Sequence, residues 1–482
     1  MVPGPSQLSL TVPGMQPLHG AQDAATWRST PGSSPRHRSL ATLAGMRHER
    51  RPDSFMATAP AALKPSSPFA AFTSRDFCVY AAARLLATVA YQMQSVAVGY
   101  QIYDLTRDPL ALGYVGLAQF LPVAGLSLAS GHAADRFDRR RILVLCYLTS
   151  ALAALALFFL ARSPSPNLPA IYGVLVLLGT VRAFQGPAGS ALLPTLVPTE
   201  HFQNAVTWQS TLWQVGAIGG PSLGGLLYAL WKAPAPVYLS ASLALAAACA
   251  GPLAVRAPAG RLERKPPSLA TALAGLRYVY RKKVLLASIS LDFVAVFLGG
   301  AVALLPIYAT DVLGVGPQGF GFLRAAPAVG AGLMAVVLAF RPITRRAGPR
   351  MLLCVGLFGL AAVVFGLSRS FPLSLVALTV MGAADMVSVV VRMTLEQLAT
   401  PPEMRGRVSA VNMVFVGASN ELGELESGTL ARLIGTVPTV VFGGLGTIAV
   451  VLLWAWLFPE LRAVDRLEDT RATSEEDAAE KA

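Results

Sequence analysis

The sequence predicts an all-α membrane protein of twelve transmembrane helices in two pseudo-symmetric six-helix halves, and three observations carry that prediction. Hydrophobic residues make up 54% of the 482 residues and charged ones only 13%, against about 25% charged in a soluble domain. Apolar runs recur along the whole chain, each about the length that crosses the ~30 Å hydrocarbon core of a bilayer as a helix. The basic residues concentrate in every second stretch between those runs. With Gly131–Arg141 set on the inner side, eighteen Lys and Arg fall in inner loops and five in outer ones, namely Arg107, Arg162, Lys232, Arg369 and Arg432. That alternation is the positive-inside signature. The net charge of +13 therefore reads as topology, and nucleic acid is excluded as its explanation.

Taken in order, residues 1–74 mix Pro, Ser, Gly and Arg without an apolar core for a signal peptide. They are predicted to form a disordered cytoplasmic tail. Met56 offers a later start, which would make much of that tail a start-site artefact. Six spans follow, at 77–102, 109–131, 142–161, 169–192, 204–231 and 236–255, and 75–255 is the expected first half. Residues 256–283 are basic, with Leu269, Leu273, Leu276 and Val279 at helical spacing. They read as an amphipathic linker helix on the inner leaflet. The second half, 284–458, holds spans at 284–309, 318–340, 351–368, 371–398, 408–431 and 433–458. An acidic tail, 459–482, is expected to be disordered and cytoplasmic. Twelve spans return the chain to its starting side, so both termini are expected in the cytoplasm. The abundance of Arg, Ala and Gly fits a bacterial gene, and the inner membrane is the expected location.

The halves repeat each other. An offset of 203 residues superposes Glu200 on Glu403, Gly220 on Gly423 and Gly225 on Gly428. Parallel repeats with a path between them are the arrangement in which transporters place their sites near the bilayer midplane.

Three motifs carry a family resemblance. Gly131-His-Ala-Ala-Asp135-Arg136-Phe-Asp-Arg139-Arg140-Arg141, between the second and third spans, resembles the signature loop of the major facilitator superfamily. Ala133 and Asp138 depart from its usual Leu and Gly. The fifth span carries Gly216-x-x-x-Gly220-Pro221-x-x-Gly224-Gly225, which resembles the superfamily's antiporter motif at every fixed position. The fourth carries Arg182-x-x-Gln185-Gly186-Pro187, similar to a motif whose arginine assists proton coupling. Together with the glutamates of the eleventh span, these resemble the transmembrane secretion effector branch, which includes enterobactin exporters and Tap-like multidrug efflux pumps. The resemblance covers about residues 75 to 460. It implies a major facilitator fold, a proton-coupled carrier of small molecules and, from the fifth-span motif, an outward direction.

Independently of that resemblance, some residues stand out because charge inside a bilayer costs several kcal/mol unless it is paired or hydrated. Arg182, Glu421, Glu424, Asp292 and Asp385 are the candidates for proton coupling. Glu421 and Glu424 share a helix face, and the competing reading for both is a helix-to-helix ion pair with Arg182, Arg324 or Arg392. Glu426 reads as solvated rim. Arg84, Gln92, Gln94, Gln119 and Arg392 are candidates to line a pore, with Arg392 expected to neutralise Glu396 four residues on. In the signature loop, Asp135 is placed to cap a helix of the other half and the arginines to meet acids or lipid phosphates. The small residues of the fifth span let helices approach closely, and Pro221 bends it.

Cys78, Cys146, Cys249 and Cys354 fall in apolar spans at unrelated spacings, which gives no disulfide framework and no metal site. No cofactor is expected. An enzyme is disfavoured by the lack of a His-rich cluster, a Gly-x-Ser-x-Gly or a phosphate loop. The leading expectation is a secondary active, proton-coupled exporter of a siderophore or other amphipathic small molecule, working by alternating access. Its partners are the substrate, protons and the lipid bilayer. An uptake symporter and a non-transporting membrane scaffold or receptor are the competing readings.

Overall fold

The computed structural model describes residues 69–165, 167–256 and 269–467. Among these the chain is helical and forms no strand. The first half runs through α1 (Arg75–Thr106), α2 (Pro109–Arg136), α3 (Arg139–Arg162), α4 (Leu168–Leu192), α5 (Phe202–Trp231) and α6 (Ala235–Ala248), which continues as the short α7 (Ala250–Ala254). A linker helix, α8 (Leu269–Arg281), leads to α9 (Lys283–Leu298) and the three-residue α10 (Leu305–Ile307). Then come α11 (Gly316–Phe340), α12 (Ala347–Leu367), α13 (Phe371–Leu398), α14 (Pro402–Ile434), α15 (Thr436–Leu457) and the short α16 (Pro459–Ala463).

Local chemistry sets the ends of these helices. Ser74, Asp108, Asp138 and Asn167 are N-caps whose side chains accept from backbone N–H groups of the first turn, each satisfying a donor the helix cannot. Pro109 and Pro169 follow two of these caps, where a missing N–H costs nothing. Between α14 and α15 the chain turns at Gly435, whose φ of 94° suits a residue without a Cβ.

Among the described residues, nine helical segments are long and apolar enough to cross a membrane by length and composition. The other three long helices, α1, α5 and α14, fall short because they carry polar residues along their length, with charged ones too in α1 and α14.

The packing repeats. In the first half α1 packs on α5 and α6, α2 on α4, and α3 on α4 and α6. In the second, α9 packs on α14 and α15, α11 on α13, and α12 on α13 and α15, the same pairs six crossings later. The two largest contacts between the halves are α5 with α11 and α2 with α14, and they exchange under the same operation. A methyl at Gly225 would come within 2.8 Å of the Gly321 Cα, and one at Gly428 within 3.1 Å of the Gly113 Cα. Backbone meets backbone at both seams.

At the end away from the Gly131–Arg141 loop, one apolar cluster draws on both halves, including Ile102, Tyr103 and Tyr228 from the first and Tyr308, Phe320 and Phe365 from the second. At the loop end the cores are separate. Phe77, Tyr80, Leu143 and Leu192 form one, while Met351, Val391, Leu395 and Leu461 belong to another. The far end is therefore the closed one. Polar contacts reinforce it: Tyr103 donates to Asp311, Arg107 Nη1 lies 3.6 Å from Asp311 Oδ1, and Arg432 Nη1 lies 3.4 Å from Asp108 Oδ2.

Several segments differ from the sequence expectation. The ordered chain begins before 75, since Ala70–Thr73 is a short 3-10 helix with the Ala71 N–H bonded to Asn204 Oδ1 at 2.9 Å. Residues 1–68, including the alternative start at Met56, lie outside the described residues. The C-terminal segment is also ordered at its start: Leu461 is buried, and Ala347 and Gly348 donate to the carbonyls of Asp465 and Val464. Residues 468–482 lie outside the described residues. The seventh span is not one continuous helix. Gly299-Gly300 and Pro306 break it, and the chain passes through 3-10 and π turns before Val312. In the linker helix, Val279 is buried and Tyr278 donates to the Ala399 carbonyl at 2.8 Å, but Leu273 and Leu276 are exposed. Residues 257–268 lie outside the described residues.

Candidate functional site

A cavity of about 740 Å³ lies between the halves. Its wall comes chiefly from α1, α2, α4, α11, α13, α14 and the broken segment after α9. Helices α3, α6 and α15 contribute nothing to it. This division follows from solvent: residues lining a wet cavity need not be apolar, and those on the outer helices must be.

Arg182 of α4 and Glu421 of α14 meet across the cavity, Nη1 to Oε1, at 3.0 Å. The arginine is 63% exposed and the glutamate 14%, so the pair faces the cavity and joins opposite halves. An ion pair so exposed contributes only about 0–1 kcal/mol to stability. It is suited to opening and closing. Glu424, three residues on, also lines the cavity. It packs on Gly116 of α2, where an added methyl would stand 2.6 Å from its Oε2. Arg324 of α11 donates Nη2 to Ser95 Oγ at 3.2 Å. Arg84 lies in the wall near Gly189 and Tyr80, and among the described residues its buried Nε has no hydrogen-bond partner. Gln92, Gln94, Gln119 and Asp385 belong to the polar lining, with Phe320, Phe358 and Trp213 among the apolar members of the wall.

Arg392 and Asp292 are placed elsewhere. Arg392 is 4% exposed and does not line the cavity. Its ion-pair partner is Asp292 of α9, at 2.6 Å, rather than Glu396, and its Nη1 also donates to Asn412 Oδ1 at 3.1 Å. Helical spacing puts Glu396 within reach, yet tertiary packing brings a second helix closer. Glu426, set down as solvated rim, is half-buried and accepts from Ser427 Oγ at 3.2 Å.

In the signature loop Asp138 caps α3, accepting from the Arg140 N–H at 2.9 Å. Arg139 Nη1 donates to the Ala191 carbonyl at 3.1 Å and Arg140 Nη1 to the Val255 carbonyl at 2.6 Å. These carbonyls stand at the C-terminal ends of α4 and α7, where a cation completes unpaired acceptors. Arg140 Nε also lies 3.9 Å from Asp138 Oδ1, and these contacts of Arg139 and Arg140 stay within their own half. Arg136 is exposed and Gly131 half-buried. The Asp135 side chain lies outside the described residues.

The glycines of α5 seat it on α1. Methyls at Gly216, Gly220 and Gly224 would come within 2.7 Å of Thr88 Cγ2, 2.9 Å of the Val89 carbonyl and 2.9 Å of the Met93 Cα. Pro221 is buried in the same helix. A methyl at Gly423 of α14 would likewise come within 2.9 Å of the Phe297 carbonyl of α9.

Sequence reasoning passed over several cavity residues. Arg324 was visible as a lone cation in the apolar run 318–340 and was set down only as a partner for Glu421 or Glu424. Nothing in the sequence marks Ser95, Tyr91 or Asn420, which become cavity residues through the orientation of α1 and α14.

Comparison with known proteins agrees with this architecture. The family model of the Major Facilitator Superfamily matches residues 80–424. The chain belongs to the major facilitator superfamily. It is 29% identical over 393 residues to the enterobactin exporter EntS of Shigella dysenteriae serotype 1 (strain Sd197), covering 79% of this chain and 91% of that protein. Among solved structures it is similar to a bacterial homologue of the human lysosomal transporter Spinster in an inward-facing, occupied conformation. That match has TM-score 0.61 at 16% identity and covers 84% of this chain and 99% of the other. A bacterial homologue of the iron transporter ferroportin, in an inward-facing state, aligns with TM-score 0.60 at 17% identity over 81% and 99% of the two chains. The protein is a multi-pass membrane transporter of a small molecule.

Proposed function

We propose that this transporter is a proton-coupled exporter of a siderophore or another amphipathic small molecule, located in a bacterial inner membrane with both termini and the Gly131–Arg141 loop in the cytoplasm. The Arg182–Glu421 pair carries the reading, because it spans the two halves inside the one large cavity described. With the loop end cytoplasmic, the closed end faces outward and the cavity receives substrate from the cell. Arginines, carboxylates and glutamines beside aromatic walls suit a ligand with both polar and apolar surface. The α5 motif and the similarity to an exporter support the direction.

The mechanism follows from where the pair sits. A charged Glu421 holds α14 to α4. A proton added to an oxygen of Glu421, or to Glu424 beside it, removes one negative charge, weakens that tie and shifts the balance between the two openings. Substrate leaving on one side and protons entering from the other then alternate on one set of residues.

Proteoliposomes loaded with enterobactin, and in parallel with a lipophilic dye, test this directly. The Glu421→Gln, Glu424→Gln double variant should lose pH-driven transport while exchange down the probe's own gradient persists. Full pH-driven transport by the double variant would refute the assignment of coupling to these glutamates.

A further inference from the structure

Behind the main cavity, in the second half, lies a chamber of about 10 Å³ lined by Asp292, Ala295 and Val296 of α9, Val355 and Phe358 of α12, and Asp385 and Ser388 of α13. That is about the smallest volume that holds one water molecule. Val296, Phe358 and Asp385 line both spaces, so the chamber adjoins the main cavity, and Asp385 is the carboxyl group they share. Ser388 is 1% exposed, and its Oγ has no hydrogen-bond partner among the described residues; neither has Arg392 Nε. Buried polar groups left so are rare and mark a bound water, an ion or a working site.

We infer that Asp385, Ser388 and Asp292 form a second proton-binding site, in which one water bridges the two carboxyl groups and Ser388 Oγ, separate from the Arg182–Glu421–Glu424 centre. The charges favour a proton over a metal cation. Arg392 already neutralises Asp292 at 2.6 Å, so a further cation would face a guanidinium, whereas a proton adds to Asp385 alone. In the step itself, a hydronium ion in the water of the main cavity gives its proton to an Asp385 oxygen, one of its O–H bonds breaking as the carboxyl O–H forms, which leaves a neutral carboxyl and a neutral water. The carboxyl then donates to the bridging water, and release reverses the step. The charged groups that act on Asp385 are Asp292 on α9 and Arg392 on its own helix; Arg84 on α1, Arg182 on α4, Arg324 on α11, and Glu421 and Glu424 on α14 share the main cavity with it, and α12 supplies only Val355 and Phe358 to the chamber. Glu396 and Asn412 lie beyond, around Arg392.

Infrared difference spectra of the full chain in lipid, taken between acid and alkaline pH, resolve protonated carboxyl groups through their C=O stretch. In the Glu421→Gln, Glu424→Gln background a titrating carboxyl band should remain, and adding Asp385→Asn should remove it. Absence of that band in the background, or its survival with Asp385→Asn, overturns the proposal. Should Asp385→Asn fail to assemble, Ser388→Ala serves in its place: the band should move because a hydrogen-bonding partner has gone, and an unmoved band overturns the proposal equally. The background variants make this readout independent of whether Glu421 and Glu424 drive transport.

Discussion

Helices α4 and α13 begin at equivalent points of the two halves and end in opposite chemistry. Leu168 and Phe371 open them at the 203-residue offset, each followed by a proline. Gly179 and Gly382 then seat each on the helix before last, where methyls would come within 2.9 Å of the Gln119 Cα on α2 and 2.6 Å of the Pro327 Cα on α11. Three residues further on, the same position carries Arg182 in the first half and Asp385 in the second. One turn beyond Gln185, Gly189 makes room for Arg84 of α1, whereas its counterpart Arg392 reaches Asp292 of α9. The difference teaches that the repeat is kept where backbones touch, since any side chain there would force helices apart. It is free to diverge where side chains meet water. The two charge centres consequently differ in kind: one ion pair is exposed and crosses the halves, the other is buried within one half.

The sharpest way to break this comparison is to remove one partner from each pair. Arg392→Ala strands a buried carboxylate and should cost about 3–5 kcal/mol, read as a large drop in melting temperature in detergent. Arg182→Ala, at an exposed pair, should cost under about 1 kcal/mol yet abolish pH-driven efflux. Similar melting temperatures for the two variants would erase the distinction between a holding pair and a working one.

A smaller effect probes the shared packing. Gly220→Val on α5 and Gly423→Val on α14 each push a side chain into a neighbouring backbone, an overpacking that costs about 1–3 kcal/mol. The two losses should be similar, and a severe loss in one half with none in the other would show that the repeat has ceased to be mechanically equivalent. The smallest effect belongs to the closed end. Arg107→Ala removes a half-exposed contact with Asp311 and should leave the melting temperature nearly unchanged, but spin-label distances between the ends of α1 and α11 should widen. No widening would place the seal in the apolar cluster around Tyr308 and Phe320 alone.

Much of the fold was legible because hydrophobic length and loop charge act one segment at a time. A run such as Arg139–Arg162 reads as a membrane span without knowledge of any other. The same logic weakens for α1, α5 and α14, whose polar residues lower their hydropathy. They were found from count and motif, and they line or abut the cavity for the reason that made them hard to read. The broken segment after α9 was only half visible: Gly299-Gly300 and Pro306 stood in the text, but nothing there said the break would face the cavity.

What the sequence determined by itself is the number of crossings, the repeat of the halves and the identity of the charges a bilayer would tolerate only with partners or water. Which charges pair was decided by tertiary structure. Arg392 has Glu396 one turn away and binds Asp292 of another helix; Glu421 had three arginines in prospect and meets Arg182. The physical reason is that transfer from water is a property of each residue and sums along a segment, whereas an ion pair depends on distances of a few ångströms between helices, fixed by the close approach of glycines such as Gly220, Gly225 and Gly428.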